Sequence, residues 1–240
     1  DPAAQATGLA PGTTVVLGGH DHLCGALPVG AFRDGVVLDV TGTWESVMTA
    51  TDGPVLKDEL RQAGMTVQAH VVRDMHSVWG GNVAGEMLEW YRRQLMGTQG
   101  NVDADALSWD VLIDEASTAA PGASGVMFLP PMSGAASPVV DGQSLGAFVG
   151  LTPRASRGEM VRSIIEGLDY QFLDMVLALE DSLEVDLQRV IAVGGATRNM
   201  MWMQNKADVV GRPIEIPDVE EATPLGAAIL AGIGVGLYEN

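Results

Sequence analysis

The sequence predicts a single α/β domain, and three observations carry this prediction. The 240-residue chain is 47% apolar, which is enough to bury one sizeable core and short for two. Runs rich in β-branched residues alternate with helical periods along most of the chain. Two strand-turn-helix units close it, at residues 189–210 and from residue 213 onward. Together these patterns favour a mixed sheet with flanking helices.

The first half of the chain is predicted as short strands around glycine-rich turns. Residues 13–17 have the apolar, β-branched character of a buried strand, and residues 36–40 and 44–50 form two more strands around a tight turn. Residues 67–73 are a further strand candidate. Helical spacing of apolar residues predicts a helix over residues 82–96, and the polar, glycine-containing residues 97–105 are predicted to be a loop.

The second half contains the clearest helix, over residues 159–181. Ser156 and Glu159 have the spacing of a capping box at its start. A short buried strand at residues 126–129 precedes this helix. After it come a strand (189–193), the turn Gly194-Gly195, a helix (199–210) and a strand (213–216). The final helix is predicted to begin with Thr223 as its cap and Pro224 at its first position.

Charge and cysteine content narrow the possible partners and compartment. The 31 acidic residues against 13 basic ones give a formal net charge of -18, so we expect no nucleic-acid partner. The single cysteine, Cys24, excludes an internal disulfide framework and suits the reducing cytoplasm. The longest apolar stretch, residues 226–237, is too short and glycine-rich for a membrane span. The start at Asp1 predicts a segment of a longer protein.

The first candidate site is Asp21, which follows a predicted strand and the glycines Gly18 and Gly19. Ligands of open α/β sheets bind beyond the carboxyl ends of strands, where a carboxylate can accept a proton. The alternative is that Asp21 only caps the next segment. His20 and His22 flank it, but a lone His-x-His lacks further metal ligands at a recognisable spacing.

Two further turns offer backbone amides to an anion. Thr41-Gly42-Thr43 joins two predicted strands and could direct amides and hydroxyls toward a phosphate, although an ordinary hairpin turn has the same composition. Gly194-Gly195 leads into a helix beginning at Asn199, whose positive end favours a phosphate or polar ligand. These glycines could equally serve only to tighten the turn.

Taken together, these motifs resemble the carboxy-terminal half of the FGGY carbohydrate kinases. The sharpest match is residues 146–151 (GAFVGL), then Glu159-Met160, then residues 163–166 (SIIE), which fits the second signature of the family. The segment from Gly19 through Asp21, the turn around Gly42, the Gly194-Gly195 turn and residues 222–228 (ATPLGAA) match other family motifs in order. The resemblance covers nearly the whole chain.

The resemblance implies an actin-like, ribonuclease H-like ATPase domain that forms one wall of a cleft, with ATP and Mg²⁺ as cofactors. It implies that the amino-terminal sugar-binding domain is absent from this chain, and it leaves homo-oligomerisation open. The sugar or polyol substrate would lie mostly against that other domain, and no protein residue is assigned as a metal ligand. The implied site residues are the catalytic base Asp21, the sugar-binding pair His20 and Asp21, the phosphate-binding Thr41, Gly42 and Thr43, and the adenosine-binding Gly85, Gly194, Gly195 and Asn199.

The sequence is also compatible with two other classes of function. A metal-dependent hydrolase could use His20, Asp21 and His22, with His70 or His76 as a further ligand. A non-catalytic module could use the same fold to sense a nucleotide or to form an oligomer.

Overall fold

The computed structural model describes residues 2–96, 108–219 and 221–239. The loop predicted at residues 97–105 lies outside these described residues. Among the residues that are described, no helix combines the length and the apolar character needed to cross a membrane.

A six-stranded mixed sheet organises the domain. Its strands are β1 (Val36–Thr41), β2 (Trp44–Thr51), β3 (Thr66–Ala69), β4 (His76–Val83), β7 (Arg189–Val193) and β8 (Ile214–Glu215), and a separate antiparallel pair consists of β5 (Met127–Leu129) and β6 (Ala147–Val149). The spatial order is β3-β4-β2-β1-β7-β8. Strands β1 to β4 pair antiparallel, whereas β7 runs parallel to both β1 and β8. The carboxyl ends of β1 and β7 therefore lie side by side.

Helices cover both faces of this sheet in the described part of the chain. They are α1 (Pro2–Thr7), α2 (Asp21–Val29), α3 (Asp58–Gln62), α4 (Gly85–Met96), α5 (Trp109–Thr118), α6 (Arg157–Leu183), α7 (Met200–Val210) and α8 (Ala222–Gly234). Of these, α1, α3 and α5 are helices that the sequence analysis did not predict.

Helix α6 forms the main contact with one face of the sheet. Its predicted capping box is confirmed, because the Ser156 hydroxyl accepts from the Glu159 amide and the Glu159 carboxylate accepts from the Ser156 amide. Four buried α6 side chains pack on valines of β1, β2, β4 and β7, namely Phe172, Met175, Val176 and Leu179 against Val37, Val47, Val78 and Val190. Each such α6 side chain contributes about 1.5–3 kcal/mol relative to exposure.

Helix α2 covers the opposite face. Leu23 and Ala26 of α2 pack with Val36, Leu38 and Ile191, the residues that alternate with the α6-facing positions of β1 and β7. Helix α8 packs behind α2 at very short range. A Cβ atom on Gly226 would lie 1.8 Å from the carbonyl oxygen of Cys24, so only glycine permits this approach.

The strand predicted at residues 13–17 is wrong. No strand in the described chain pairs with this segment, and Val15 and Leu17 are 89% and 94% exposed. The apolar, β-branched run indicated a preference for burial, but burial also requires a covering element. None of the described elements covers these two side chains.

The boundaries predicted around β4 are also wrong. The helix predicted to begin at residue 82 begins at Gly85, because Asn82 pairs with Glu45 across β4 and β2. The Asn82 amide oxygen accepts from the backbone amides of Ala136 and Ser137, which keeps this residue in the sheet. The strand predicted at residues 67–73 is shorter and is β3, whereas β4, which contains two glycines, was not predicted at all.

The predicted cap of the last helix is the third correction. Helix α8 begins at Ala222, so Thr223 lies inside its first turn instead of capping it. The Thr223 hydroxyl instead donates to the main-chain carbonyl of Asp21 (3.2 Å), which ties the start of α8 to the start of α2. Strands β5, β7 and β8 and helices α6 and α7 lie where the sequence analysis predicted them, within a few residues, whereas β6 was not predicted.

We predict that Gly226→Ala lowers the free energy of unfolding by about 2 kcal/mol. Forcing a methyl group against the Cys24 carbonyl costs about 3 kcal/mol, and the better helix propensity of alanine returns about 1 kcal/mol. Chemical denaturation monitored by circular dichroism measures the difference.

Gly53→Ala is the control. Its added methyl would meet nothing within 4 Å, so we expect a change within about 0.5 kcal/mol. Equal unfolding free energies for the two variants would contradict the close α2–α8 approach.

Candidate functional site

An open cleft of about 1250 Å³ lies beyond the carboxyl ends of β1 and β7. Because Val40 of β1 pairs with Val193 of β7, the turns that follow these strands are neighbours. The cleft brings together five of the residues singled out from the sequence, namely Gly42, Thr43, Gly85, Gly195 and Asn199. Crevices at the carboxyl ends of neighbouring parallel strands are where open α/β sheets bind ligands.

The Thr41-Gly42-Thr43 turn is wedged between two glycines of other elements. The Gly85 amide donates to the Gly42 carbonyl (2.8 Å), and a Cβ on Gly85 would lie 2.5 Å from the same oxygen. On the other side a Cβ on Gly194 would lie 2.4 Å from the Thr41 carbonyl oxygen. Gly194 also has a φ of +104°, which disfavours any other residue. Thr41 and Gly194 thus support the turn from behind, whereas Gly42 and Thr43 face the cleft.

The Gly194-Gly195 turn leads through a 3-10 turn, Gly195–Arg198, into α7. A Cβ on Gly195 would meet nothing within 4 Å, so the cleft is open above this residue. Asn199 is the N-cap of α7, and its Oδ1 accepts from the Trp202 amide (3.1 Å). The capping bond uses the amide oxygen of Asn199, so the amide nitrogen is the group of this side chain that can donate to a ligand.

Side chains that the sequence analysis did not identify form the rest of the cleft. Helix α5 and the start of α7 supply further lining residues. The unpredicted lining includes Arg93, Trp109, Ile113, Arg198 and Met201. Trp109 and Ile113 were missed because α5 was not predicted from the sequence, and no short motif marks Arg93 or Met201.

Asp21 is the first residue of α2 and lies at the surface, with 74% of its side chain exposed. Its Oδ1 accepts from the His22 amide (2.7 Å) and lies 2.5 Å from His20 Nδ1. Partial burial acts to raise the pKa of Asp21, but the His22 amide and the His20 ring outweigh it and hold the pKa below its ordinary value. Asp21 is therefore ionised at neutral pH, and neither Asp21 nor His20 is part of the described cleft lining.

The ligand atoms of His20, Asp21 and His22 lie within 4.8 Å of one another. His22 is buried, and its Nε2 lies 2.8 Å from the Gln68 amide nitrogen. Burial, followed by the charge of His20, lowers the pKa of His22 to about 4, so this ring is neutral at physiological pH. Among the described residues the cluster includes neither His70 nor His76, the further ligands considered for a metal-dependent hydrolase.

Comparison with known proteins identifies one family. Residues 38–235 match the family model described as the FGGY family of carbohydrate kinases, C-terminal domain. A gluconokinase of Bacillus subtilis strain 168 is 30% identical over 238 residues, which is 97% of this chain and 45% of the relative. The chain thus spans about half the length of the curated relatives it matches.

Solved structures agree with this match. The chain is similar to a xylulose kinase from Rhodospirillum rubrum, with a TM-score of 0.75 and 28% identity over 97% of this chain and 45% of that one. A ligand-bound xylulose kinase from Lactobacillus acidophilus has a TM-score of 0.84 at 24% identity, covering 100% of this chain and 46% of that one. These likenesses confirm the expected actin-like, ribonuclease H-like fold.

We predict that Asn199→Ala lowers the free energy of unfolding by about 1 kcal/mol, because the Trp202 amide at the start of α7 loses its capping acceptor. Urea unfolding measures this loss. Asn199→Ser is the control, since a serine hydroxyl can accept the same bond and should retain most of the stability. If serine and alanine destabilise equally, the capping role of Asn199 is wrong.

Proposed function

The chain belongs to the FGGY family of carbohydrate kinases, and we propose that it forms the ATP-binding half of an enzyme that transfers the γ-phosphate of ATP to a hydroxyl of a sugar or polyol. The observation that carries this proposal is the single cleft lined by Gly42 and Thr43 on one side and by Gly195 and Asn199 on the other. A turn that offers amide and hydroxyl groups and an unobstructed surface at Gly195, both facing one cleft, suit a nucleotide. The relatives are about twice as long, and we assign the sugar-binding domain to the part of the protein outside this chain.

Phosphate binding is assigned to the Thr41-Gly42-Thr43 turn. The Thr43 hydroxyl and the amides near Gly42 would hold the β- and γ-phosphates, while Thr41 is buried beneath them. Adenosine would lie over Gly195, where no side chain intrudes, and would accept a hydrogen bond from the side-chain nitrogen of Asn199. Gly85 and Gly194 would act by holding the turn in place, since both contact its carbonyls.

Mg²⁺ would arrive with ATP, because the Thr41-Gly42-Thr43 turn itself offers no carboxylate. The cleft also fits this ion through the carboxylates that line it, Glu86, Glu89, Asp110 and Asp114, since Mg²⁺ accepts oxygen ligands directly or through water. When bound, it offsets negative charge on the phosphoryl oxygens. The net charge of -18 does not oppose this binding, because local amides and the cation dominate at contact range.

Asp21 is proposed as the general base. It would accept the proton of the attacking sugar hydroxyl, and its lowered pKa keeps it in the ionised form that can do so. His20 lies against Asp21 and would contact the same sugar. Closure of the two halves over the bound substrates would bring Asp21, which is exposed in this half, against the transferring phosphoryl group. A cytoplasmic location and assembly into a homo-oligomer stay predictions.

Asp21→Asn in the full-length enzyme should lower kcat by about 10²- to 10⁴-fold, because asparagine cannot accept the proton. The KM for ATP should stay within a few fold, since Asp21 lies outside the nucleotide cleft. A coupled ADP-release assay, run with a panel of polyols, ketoses and sugar acids, measures both constants.

Asp34→Asn is the matched control, because Asp34 is an exposed aspartate in the loop between α2 and β1. Its turnover should equal that of the wild type. Wild-type turnover by the Asp21→Asn enzyme would refute the assignment of the base.

Gly85→Ala should weaken ADP binding about tenfold, because its methyl would displace the Gly42 carbonyl and with it the phosphate-binding turn. Isothermal titration calorimetry on the folded protein measures the affinity, with Gly53→Ala as the control, since a methyl at Gly53 meets nothing within 4 Å. Failure of the folded wild-type protein to bind millimolar ADP would favour a non-catalytic interaction module over the kinase.

A further inference from the structure

One lysine, Lys206 of α7, is completely buried beneath the turn between β1 and β2. Its Nζ donates to Asp39 Oδ2 of β1 (2.6 Å) and to Glu45 Oε1 of β2 (2.5 Å). The ammonium group also lies 4.4 Å from the centre of the Phe172 ring of α6. A single charged group therefore bonds both strands of the hairpin, and it does so from the helix that carries the opposite wall of the cleft.

The strand register explains why the lysine can reach both carboxylates. Glu45 pairs directly with Thr41, and Asp39 precedes Thr41 by two positions, so these side chains emerge on the same face of the sheet. Asp39 is three residues before Gly42, and Glu45 is two residues after Thr43. The two bonds are thus placed just behind the phosphate-binding turn, one on each strand.

Lys206 is also close to the cleft along its own helix, α7. Helix α7 begins after its N-cap Asn199, and Lys206 lies two turns further along. Neighbouring positions anchor α7 to α6: Asp169 accepts from the Trp202 indole (2.8 Å) and from the Asn205 amide (2.6 Å). The adenosine side of the cleft is therefore rigidly attached to the same helix that supplies the ammonium group.

We propose that Lys206 is a positioning residue, which fixes the phosphate-binding turn relative to the adenosine side of the cleft by bonding Asp39 and Glu45. The inference rests on the proposed nucleotide-binding function and adds a residue that touches neither substrate. Lys206 sets the span between the two walls, so that the phosphates reach the turn when the adenosine lies over Gly195.

Stability alone does not account for the buried cluster of Lys206, Asp39 and Glu45. Buried ion pairs contribute little net stability compared with a well-packed apolar replacement, because desolvation offsets their attraction. Within the described structure, Asp39 Oδ1 and Thr41 Oγ1 of the same strand face have no hydrogen-bond partner, which is a further cost. What an ion pair provides and an apolar contact does not is a bond of defined length and direction.

The positive charge of Lys206 is consistent with its bonds to Asp39 and Glu45. Burial by itself would lower the pKa of Lys206, but Asp39, Glu45 and Asp169 outweigh it and raise the pKa above its ordinary value. Lys206 is therefore a cation throughout the physiological range. Burial raises the pKa of its partner Asp39 to about 7 even though the charge of Lys206 opposes this rise.

The test replaces the cluster by an apolar one in the protein expressed from its full-length gene. In the combined variant Lys206→Met, Asp39→Val, Glu45→Met, we expect a thermal midpoint equal to or above that of the wild type. The affinity for ADP should fall about tenfold, whereas the affinity for adenosine, which contacts only the α7 side, should change less than twofold. Isothermal titration calorimetry with ADP and with adenosine supplies both affinities.

A second variant covers the case in which the triple replacement does not fold. Glu45→Met leaves a balanced Lys206–Asp39 pair and frees only β2, so we expect a folded protein with about fivefold weaker ADP binding and unchanged adenosine binding. Thr49→Val is the control for a buried change elsewhere in β2, because it removes only the bond from Thr49 to the Val36 carbonyl. Its thermal midpoint should fall while its ADP affinity stays within twofold.

Two results would overturn this inference without affecting the proposed function. If the folded variants bind ADP with unchanged affinity, Lys206 does not position the turn. If the affinities for ADP and for adenosine fall by the same factor, the variants have lost structure generally. If the wild-type protein binds neither ligand, the proposed function fails and this inference fails with it, so the two failures are distinguishable.

Discussion

The buried ammonium group of Lys206 constrains the rest of the structure, because a charge without access to water must find its carboxylates in the interior. Those carboxylates lie 167 and 161 residues earlier in the chain, on β1 and β2. This requirement is met where α7 lies across the two strands. The turn between the strands then opens next to the start of α7, and the cleft is the space between them.

Close backbone contacts made by glycines complete this arrangement. Gly85 and Gly194 let α4 and β7 approach the carbonyls of Thr41 and Gly42 from two sides. On the other face of the sheet, Gly226 allows α8 to approach α2, the helix that presents Asp21. In each case a methyl group would collide with a main-chain carbonyl. The positions of the phosphate-binding turn and of α2 therefore depend on glycines in neighbouring elements that have no side chain.

The two parts of the proposed reaction are therefore held by opposite faces of one sheet. The nucleotide cleft belongs to the side covered by α6 and α7, and Asp21 begins the helix that covers the other side. This separation suits a base that acts on a substrate approaching from outside the nucleotide wall. The exposed position of Asp21 fits that role, and its contacts with the His22 amide and the His20 ring keep it ionised.

The sequence by itself determined the local features. The helical period and capping box of α6 were readable because their partners lie within a few residues, and the turns around Gly42 and Gly194 were readable because glycine is locally diagnostic. It also identified the family through motifs in order. The tertiary structure alone decided whether residues 13–17 are covered, that Asn82 belongs to β4, that Thr223 bonds α2, and that Lys206 lies beneath the turn. Each of these depends on an atom tens to hundreds of residues away, and no local periodicity records such a partner.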